Sequence, residues 1–388
     1  MNPCHPPVSP PRVQLNSGTL YPTPGPVREA AERLRRQLAD HPTDFLIRRL
    51  PQLLETSRQA LAGYLHADPR YLLLLPNVTF AMNLVVSSLN LTRGTQVLLT
   101  DHSYGAMTYI FQRWAMVRDW TITVAEMPVT PASEDELFDA IVSQLNSATR
   151  IAFFYHVTSP TGLTLPIARL CAYCRERDIL TIVDGAHAPG TLPLDLDAIG
   201  ADFYGGNLHK WMMGPATAAF LYVSPHRRVD LRPLVTSWGF DYERSRWNED
   251  TGCGGSRWQW DLEFHGTADR VPQCVVPEML AFRRQLGGDA ALRTRALQLG
   301  DLARKIVPLP CASPHDPALR SPMVVFDVHA DTDAVRARER LAVEFGVEAP
   351  VTSVGGRKFL RVSIAHDTEA EHLHALAEAV RQGALRAP

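Results

Sequence analysis

The sequence predicts an α/β protein whose large domain is built around a mainly parallel β-sheet. Short apolar runs, typical of buried strands, recur along the first two thirds of the chain, and segments with helical periodicity lie between them. Strands and helices that alternate at this spacing favour a parallel sheet covered by helices on both faces. With 388 residues the chain can bury a large core, so we expect one large domain and one smaller domain.

Six apolar runs predict strands of the large domain, and four periodic segments predict the helices between them. The predicted strands cover residues 71–75, 96–100, 150–155, 179–183, 201–204 and 216–223. The predicted helices cover residues 80–91, 104–117, 134–145 and 166–178. Open α/β sheets bind ligands at the carboxyl ends of their strands, so the residues that follow these runs are the first candidates for a site.

Beyond about Val275 the sequence changes to Arg- and Ala-rich helical segments, followed by strands predicted at 323–328 and 359–364 and a final helix at 369–381. This pattern favours a smaller α+β domain. We therefore predict an N-terminal arm at residues 1–25, a large domain at 26–274 and a small C-terminal domain at 275–388.

Composition indicates a small-molecule partner. Apolar residues make up 45% of the chain and charged residues 21%, and the net charge of -2 offers no basic footprint for nucleic acid or an anionic membrane. No apolar run approaches the roughly 20 residues that span a bilayer. The first residues show no secretory signal pattern, and the six cysteines are scattered. We expect a cytoplasmic protein with reduced thiols, no bound metal, and no nucleic-acid or membrane partner.

Two sequence patterns that carry other chemistry are absent or incomplete. Neither GxGxxG after a strand nor GxxxxGK[ST] is present, which disfavours a dehydrogenase or an ATPase. Cys171 and Cys174 have CxxC spacing, but they lie inside a helical pattern and no second pair with metal-ligand spacing accompanies them. We expect these two thiols to pack in the core.

One lysine is distinguished by its surroundings. The chain has three lysines among 39 basic residues, and Lys210 follows a His and precedes a Trp in the segment YGGNLHKWMMG. An arginine cannot replace it as a nucleophile, because a guanidinium stays protonated while a partly desolvated ammonium can lose its proton and attack a carbonyl. We interpret Lys210 as a candidate Schiff-base lysine, with an ordinary surface lysine as the alternative.

A carboxylate precedes this lysine by some twenty residues. The segment ILTIVDGAHAPG is an apolar run that ends in Asp184, and His187 follows three positions later. An Asp at the carboxyl end of a buried strand lies where α/β sheets bind ligands, and it can hold the proton of a pyridinium ring.

These segments carry a resemblance to a known family. DGAHAPG, a small-residue strand and NLHKW resemble the class V aminotransferase group of fold-type I pyridoxal 5'-phosphate (PLP) enzymes, in the isopenicillin N epimerase-like branch. LNSGTLYP near the start resembles that branch's LNxG segment, and RVSIA resembles its RxSxA segment. The resemblance runs from Asn16 to about Val380. It implies a mainly parallel seven-stranded sheet, a smaller α+β C-terminal domain, PLP as cofactor, and a homodimer with shared active sites.

The resemblance assigns the cofactor contacts residue by residue. Lys210 matches the Schiff-base lysine and Asp184 the partner of the pyridinium nitrogen. The phosphate is assigned to the turn of Asn77, Val78 and Thr79, where helix-terminal amides can bind an anion, and to Asn207 and His209. Thr267 matches a residue that reaches the phosphate of the neighbouring subunit.

Further positions are assigned to the ring and the substrate. Tyr104 is favoured over His102 as the aromatic that stacks on the ring. His187 and Ser159 match groups near its phenolic oxygen, where many relatives carry Asn in place of Ser159. Arg361 is expected to bind the substrate carboxylate through its planar fork, together with Asn16.

The expected reaction begins at the α-carbon of an amino acid, with Lys210, Asp184 and His187 as the catalytic set. Residues 347–358 contain no cysteine, which disfavours the persulfide chemistry of cysteine desulfurases. We expect C–S β-elimination through an external aldimine and a quinonoid, on an amino-acid moiety of a natural-product intermediate in antibiotic biosynthesis. The alternatives are decarboxylation coupled to deamination, α-carbon epimerisation, and a non-enzymatic PLP sensor, which no basic or helix-turn-helix segment supports.

One segment has no counterpart in this assignment. Residues 241–264 combine Trp247, Trp258 and Trp260 with a cluster of glycines. Trp-rich loops supply broad and rigid contact area, so we hypothesise that this segment shapes a pocket for a bulky substrate. The alternative is a loop packed at a dimer interface.

Overall fold

The computed structural model describes residues 13–240 and 255–385. Within these ranges the strands form three sheets. The strands are β1 (Val13–Gln14), β2 (Leu72–Leu75), β3 (Gln96–Thr100), β4 (Thr121–Ala125), β5 (Thr149–Tyr155), β6 (Leu180–Asp184), β7 (Phe203–Asn207), β8 (Ala219–Val223), β9 (Met323–Val328), β10 (Val347–Glu348), β11 (Val351–Val354) and β12 (Arg357–Ser363).

A sheet of seven strands forms the centre of the described chain, in the order β2-β8-β7-β6-β5-β3-β4. The strands from β7 to β4 pair in parallel, whereas β8 is antiparallel to both β7 and β2. Strands β2, β6, β7 and β8 are buried along their whole length, as expected of strands covered on both faces. The predicted α/β class and its mainly parallel seven-stranded sheet are confirmed.

Of the seven strands of this sheet, the sequence analysis missed β4. Its first four residues are exposed or half-buried, and it ends in the buried Ala125. Because this strand is only partly covered, it lacks the continuous apolar run by which the other strands were recognised.

Helices fill the connections and cover both faces of the sheet. They are α1 (Gly25–Asp40), α2 (Pro42–Asp44), α3 (Leu50–Leu65), α4 (Val78–Ser88), α5 (Gly105–Arg118), α6 (Glu134–Val142), α7 (Ile167–Arg175), α8 (Leu196–Ile199), α9 (Arg257–Glu263), α10 (Val271–Cys274), α11 (Val276–Gln285), α12 (Gly288–Ile306), α13 (Ala334–Glu344) and α14 (Ala370–Arg381). A π-helical turn, Phe45–Arg49, joins α2 to α3. The four helices predicted between the strands are present as α4 to α7, and α6 and α7 each end three residues earlier than predicted, where turns follow.

The core has one apolar layer on each face of the sheet. Helices α4 and α5 contribute Val85 and Phe111 to the first layer. Helices α3, α7 and α11 contribute Leu61, Leu170 and Met279 to the second. Cys171 and Cys174 lie in this second layer as predicted, and burial raises the pKa of each thiol to about 12.

The C-terminal part has its own sheet and core. Strands β11, β12 and β9 form an antiparallel sheet, and α12, α13 and α14 pack on it. The chain start returns here, because β1 pairs in parallel with β10. Helix α11 packs into the large-domain core although it follows residue 274, so the domain limits given above stay a prediction.

Side chains cover the outer edge of β2. Glu263 accepts the backbone N–H of Leu74 at 2.8 Å, and Arg58 donates to the carbonyl of Leu72 at 2.7 Å. Arg58 and Glu263 also form a buried ion pair at 2.5 Å. This buried network occupies the strand edge with side chains in place of a further strand, and it anchors the strand that leads into the Asn77 turn.

No helix in the described ranges is long and apolar enough to cross a lipid bilayer.

Candidate active site

The candidate residues gather at one edge of the central sheet. Asp184 is the last residue of β6 and Asn207 the last of β7, while Asn77 directly precedes α4, which follows β2. Parallel strands place their carboxyl ends at one edge, and β2 points in the same direction as β6 and β7 because β8 is antiparallel to its neighbours. Topology therefore brings together residues far apart in the sequence.

Lys210 lies in the turn that follows β7. Its Nζ is 3.0 Å from Nε2 of His187, which comes from the loop after β6. The neighbouring Trp211 donates its indole N–H to Nδ1 of the same imidazole at 3.2 Å. His187 thus joins the loop after β6 to the loop after β7. The amine of Lys210 contacts the imidazole of His187, and this residue is only 2% exposed.

Electrostatic surroundings prepare this lysine for nucleophilic attack. Desolvation and the positive charge of Arg361 together lower the pKa of Lys210 to about 8, against the opposing attraction of Asp184. Burial also holds the pKa of His187 well below its ordinary value, as do the charges of Lys210 and Arg361. A lowered pKa increases the share of the free amine near neutral pH, which is the form that attacks a carbonyl.

Asp184 is a buried carboxylate beside the lysine. Its Oδ1 accepts the backbone N–H of Ala186 at 2.8 Å, and burial raises its pKa to about 6 although that bond and Lys210 oppose the shift. A carboxyl group with this raised pKa is ready to share a proton with a basic ring nitrogen. Tyr204 packs so close that a Cβ at Gly185 would lie 2.3 Å from its ring. The loop after Asp184 is therefore closely packed.

The turn of Asn77, Val78 and Thr79 forms the start of α4. Asn77 caps the helix by accepting the backbone N–H of Phe80 at 2.8 Å, and Asn207 accepts that of Val78 at 3.0 Å. Asn207 thus ties the end of β7 to this helix start, and the Val78 amide is engaged by it. Thr79 lies in the first turn, where backbone N–H groups lack partners within the helix and attract an anion.

His209 directly precedes Lys210 and has a ring nitrogen that is available for a hydrogen bond. Its Nδ1 is buried and has no hydrogen-bond partner in the described chain, while burial lowers its pKa to about 4. A buried polar atom without a partner is rare in folded proteins, and a bound acceptor or donor would satisfy it.

Arg361 is a buried cation on β12. One terminal nitrogen donates to the backbone oxygen of Ser159 at 2.7 Å and lies 3.3 Å from its Oγ, and the other donates to Oδ1 of Asn16 at 3.1 Å. Its Nε has no partner in the described ranges, and its terminal nitrogens contact hydroxyl, amide and backbone oxygens there but no carboxylate. Burial lowers the pKa of Arg361 to about 10.

The amino-terminal segment closes over this guanidinium. Thr19 donates to Oδ1 of Asn16 at 2.8 Å and accepts from Arg361 at 3.4 Å. A Cβ at Gly18 would lie 3.3 Å from the guanidinium and 3.0 Å from the Oγ of Ser363, so a glycine allows the backbone to approach. A buried cation that lacks a carboxylate partner offers a binding site for an anionic group of a ligand.

Tyr104 and His102 differ in exposure. Tyr104 precedes α5 and is 50% exposed, and its backbone N–H is held by the hydroxyl of Tyr155 at 3.1 Å. His102 is wholly buried and is paired with the hydroxyl of Thr161 at 2.9 Å. Only Tyr104 has a side chain free to stack on a ligand, so its assignment stays a prediction and His102 is the weaker candidate.

The predicted phosphate contact of Thr267 concerns the surface of the chain. Thr267 is exposed in the turn before α10, where His265 packs on Phe80 with ring centroids 5.2 Å apart. This position leaves it accessible to a second subunit, and its contact with the phosphate of that subunit remains a prediction.

In the Trp-rich segment, Trp258 donates to the carbonyl of Arg228 at 2.9 Å and Trp260 stacks on Phe264. Both side chains therefore pack on their own chain, whereas Trp247 lies outside the described residues.

Sequence reasoning missed three residues that contact the site. Trp211 was visible beside Lys210, but its indole contact to His187 depends on the fold. Thr19 lies within the quoted LNSGTLYP segment. Arg283 on α11 donates to the carbonyls of Trp211 and Gly190, a contact with backbone atoms that leaves no sequence signal.

The arrangement fits PLP. A desolvated amine, a buried carboxyl group of raised pKa and a helix start lie at one sheet edge, and the orphaned Nδ1 of His209 adds an unsatisfied polar atom. Lys210 would bond to the carbonyl carbon of the cofactor, Asp184 would pair with its ring nitrogen, and the Asn77 turn would bind its phosphate.

Comparisons with known proteins agree with this geometry. The family model described as aminotransferase class-V matches residues 46–376. Isopenicillin N epimerase of Streptomyces clavuligerus is 37% identical over 380 residues, which are 95% of this chain and 94% of that protein. A putative L-cysteine desulfhydrase 1 of Oryza sativa subsp. japonica is 29% identical over 365 residues, 87% of this chain and 73% of that protein.

Solved structures show the same fold. A mutant of C-DES with glycine covalently linked to its PLP cofactor has a TM-score of 0.80 at 21% identity, covering 95% of this chain and 96% of that chain. The complex between the cystine C–S lyase C-DES and its reaction product cysteine persulfide has a TM-score of 0.79 at 22% identity, covering 94% of this chain and 96% of that chain. The fold is that of the fold-type I PLP proteins.

Proposed function

The chain belongs to the class V aminotransferase family, and from this premise we propose that it is a PLP-dependent lyase acting on an S-substituted cysteine moiety. Bound PLP supplies an electron sink that stabilises negative charge at the α-carbon of an amino acid. The observation that carries the proposal is the pairing of a desolvated amine at Lys210 with a buried guanidinium at Arg361 that lacks a carboxylate partner in the described ranges.

Arg361 binds the substrate carboxylate in this proposal. Its Nε is unpartnered in the described chain and its two terminal nitrogens are held by Ser159 and Asn16, so the fork is already oriented before a ligand arrives. A bound carboxylate would neutralise a charge whose burial is otherwise costly. We infer a substrate with a free α-carboxylate, because an amide at this position would leave the guanidinium unpaired.

Lys210 moves the proton. With the carboxylate held by Arg361, the α-hydrogen is the group presented to the amine, and Nζ of Lys210 takes it. In β-elimination the electron pair of that C–H bond forms the second bond between Cα and Cβ, the Cβ–S bond breaks, and sulfur leaves with its electron pair and takes up a proton. Hydrolysis of the released enamine by water then gives a 2-oxo acid and ammonia.

Asp184 and His187 support this step from the protein side. The carboxylate of Asp184 would hold a proton on the ring nitrogen of bound PLP, and its burial would keep water from competing for that proton. His187 contacts Nζ of Lys210 and orients the amine. The contacts of His187 with Lys210 and Trp211 join the loop after β6 to the loop after β7.

Epimerisation at the α-carbon is the second candidate. The 37% identity with isopenicillin N epimerase over 95% of this chain favours it, and it shares the removal of the α-proton by Lys210. It also needs a proton delivered from the opposite face. Elimination needs only Lys210 as base and a leaving group on sulfur, so it stands first.

The test is an assay of the purified PLP-loaded enzyme with a panel of S-substituted cysteines, as free amino acids and as amides of the carboxylate. The proposal expects thiol, 2-oxo acid and ammonia in equal amounts from the free acids and little turnover of the amides. Recovered amino acid that carries solvent deuterium at the α-carbon without thiol release would replace elimination by epimerisation. Carbon dioxide without 2-oxo acid would indicate decarboxylation coupled to deamination and would refute both candidates.

A further inference from the structure

We propose that Trp211 is a positioning residue that selects the tautomer of His187 and thereby directs an N–H group at the amine of Lys210. The proposal rests on the proposed function, in which Lys210 takes up the α-proton. It adds a residue with a stated role and specifies that His187 orients the amine as a hydrogen-bond donor.

The argument begins with the indole. A tryptophan N–H can only donate, so the Nδ1 of His187, 3.2 Å away, must accept and therefore carries no proton. A neutral imidazole has one ring proton, which must then lie on Nε2. Nε2 is 3.0 Å from Nζ of Lys210, so its N–H faces the amine. Only a neutral amine has the lone pair that accepts this hydrogen bond, whereas an ammonium would meet a donor.

The surroundings keep the imidazole neutral. His187 is 2% exposed, and a proton on it is opposed by the charge of Arg361 and, whenever they are protonated, by Lys210 and His209, while the nearby Asp184 is bonded to the backbone N–H of Ala186. Burial and these charges hold the pKa of His187 well below its ordinary value. The ring can therefore satisfy Trp211 and Lys210 at once only as the tautomer protonated at Nε2.

The indole is itself held in place. Trp211 is 5% exposed, and its backbone oxygen accepts a hydrogen bond from Arg283 at 2.5 Å. Arg283 also donates to the carbonyl of Gly190 at 2.8 Å, and a Cβ at Gly190 would lie 2.7 Å from the Trp211 oxygen. These contacts clamp the lysine loop to the His187 loop, so the indole N–H cannot readily turn away.

The consequence concerns the proton on Lys210. An N–H donor aimed at Nζ favours the free base over the ammonium, which complements the desolvation of this lysine. Loss of the indole N–H frees Nδ1 to take the proton, and Nε2 then presents a lone pair that accepts from an ammonium. Removing the indole N–H should therefore raise the pKa of Lys210 without removing any group from the lysine itself.

The direct test is solid-state ¹⁵N NMR of the full-length protein with ring-labelled histidine, measured with and without PLP. The His187 signals are identified by their loss in His187→Gln. We expect Nδ1 of His187 to be unprotonated and Nε2 protonated in the wild-type chain. Trp211→Phe keeps most of the ring and should shift the tautomer ratio at least tenfold toward Nδ1–H.

A matched control separates this role from packing. Trp120 is also 5% exposed, and its indole N–H has no partner in the described chain, so Trp120→Phe removes a similar indole without breaking a hydrogen bond. It should leave the His187 tautomer unchanged. The pH midpoint for covalent attachment of PLP should rise in Trp211→Phe and stay in place in the control.

Two results would overturn the proposal: a proton on Nδ1 of His187 in the wild-type chain, or an unchanged tautomer in Trp211→Phe. The first needs no variant and so does not depend on folding of a mutant. Neither result depends on turnover, so a failure of the lyase assignment would leave the tautomer question open to the same measurement.

Discussion

The guanidinium of Arg361 donates to Oδ1 of Asn16 at 3.1 Å, although the two residues are 345 positions apart. The contact forms because β1 pairs with β10, and the backbone N–H of Ser363 on β12, the strand that holds Arg361, donates to the carbonyl of Leu15 at 2.8 Å. The same Asn16 oxygen accepts the hydroxyl of Thr19, so it connects the guanidinium of Arg361 to the N-terminal segment. The proposed carboxylate site is thus assembled from both ends of the chain.

Replacement of Arg361 tests its role in substrate binding. Arg361→Gln should lower kcat/KM about 30-fold to 5,000-fold, since removal of a buried charged partner of a carboxylate typically costs about 2–5 kcal/mol. The same variant should change the melting temperature of the substrate-free protein little, because the loss of the hydrogen bonds to Ser159 and Asn16 is offset by removal of a buried cation that has no carboxylate partner in the described ranges. Steady-state kinetics and thermal unfolding check both parts. A large loss of stability with an unchanged KM would contradict the assignment.

Replacement of Asp184 should separate activity from stability. The fold raises its pKa to about 6, so the folded chain binds more protons than the unfolded chain between about pH 4 and pH 6, and stability falls as pH rises through that window. Asp184→Asn removes this penalty and should stabilise the cofactor-free protein at pH 7 by about 1–3 kcal/mol, with no gain below pH 4. Turnover should be lost. Denaturant unfolding at several pH values checks the sign, and an equal gain at pH 3.5 would refute the explanation.

The pKa of Lys210 predicts how cofactor attachment depends on pH. Only the free amine attacks a carbonyl, so the rate of covalent PLP attachment to the cofactor-free protein should rise with pH through about 8 and then level off. The visible absorbance of the bound cofactor reports the rate. Lys210→Ala should show no covalent attachment at any pH. A midpoint near the ordinary lysine value would mean that the amine is not desolvated.

Asn207 is expected to preserve the phosphate turn. Asn207→Ala removes the acceptor of the Val78 N–H and should weaken PLP binding about tenfold, near 1.4 kcal/mol, as the loss of a buried acceptor typically does. Asn146→Ala is the matched control, because Asn146 also accepts a backbone N–H, from Ala148 at 2.9 Å, in an exposed turn. Equilibrium titration with PLP measures both. Equal affinities for the two variants would show that Asn207 does not shape the site.

The side chains that cover β2 predict a stability effect. Glu263→Ala leaves buried Arg58 and Arg270 without their shared carboxylate and should cost about 3–5 kcal/mol in the free energy of unfolding. Glu55 also pairs with Arg58 but is 32% exposed, so Glu55→Ala should cost less than about 1 kcal/mol. Denaturant unfolding decides between them. Similar losses for both variants would mean that burial of the pair is not the cause.

Much of the fold could be predicted because buried strands leave continuous apolar runs. Strand β3 has the predicted bounds of 96–100, and all six strands predicted for the large domain are present, with ends within a few residues of the prediction. Strand β4 was missed because its first four residues are exposed or half-buried, so its sequence has no continuous apolar run.

The site was predictable where chemistry restricts the residue type. Lys210, Asp184 and Arg361 were found because few side chains can perform their roles, and the structure brings them to one region. Trp211 and Arg283 act by holding an imidazole nitrogen and backbone carbonyls, and many residues could serve such roles. Their function becomes visible only when the loops after β6 and β7 are seen side by side.

The central claim is that Lys210 removes the α-proton of a substrate held by Arg361. The most direct measurement uses S-substituted cysteines labelled with deuterium at the α-carbon and follows the label into water by NMR. The wild-type enzyme should release the label in step with substrate consumption or faster, and Lys210→Ala should release none. Consumption of substrate with the α-deuterium retained in the product would contradict the claim.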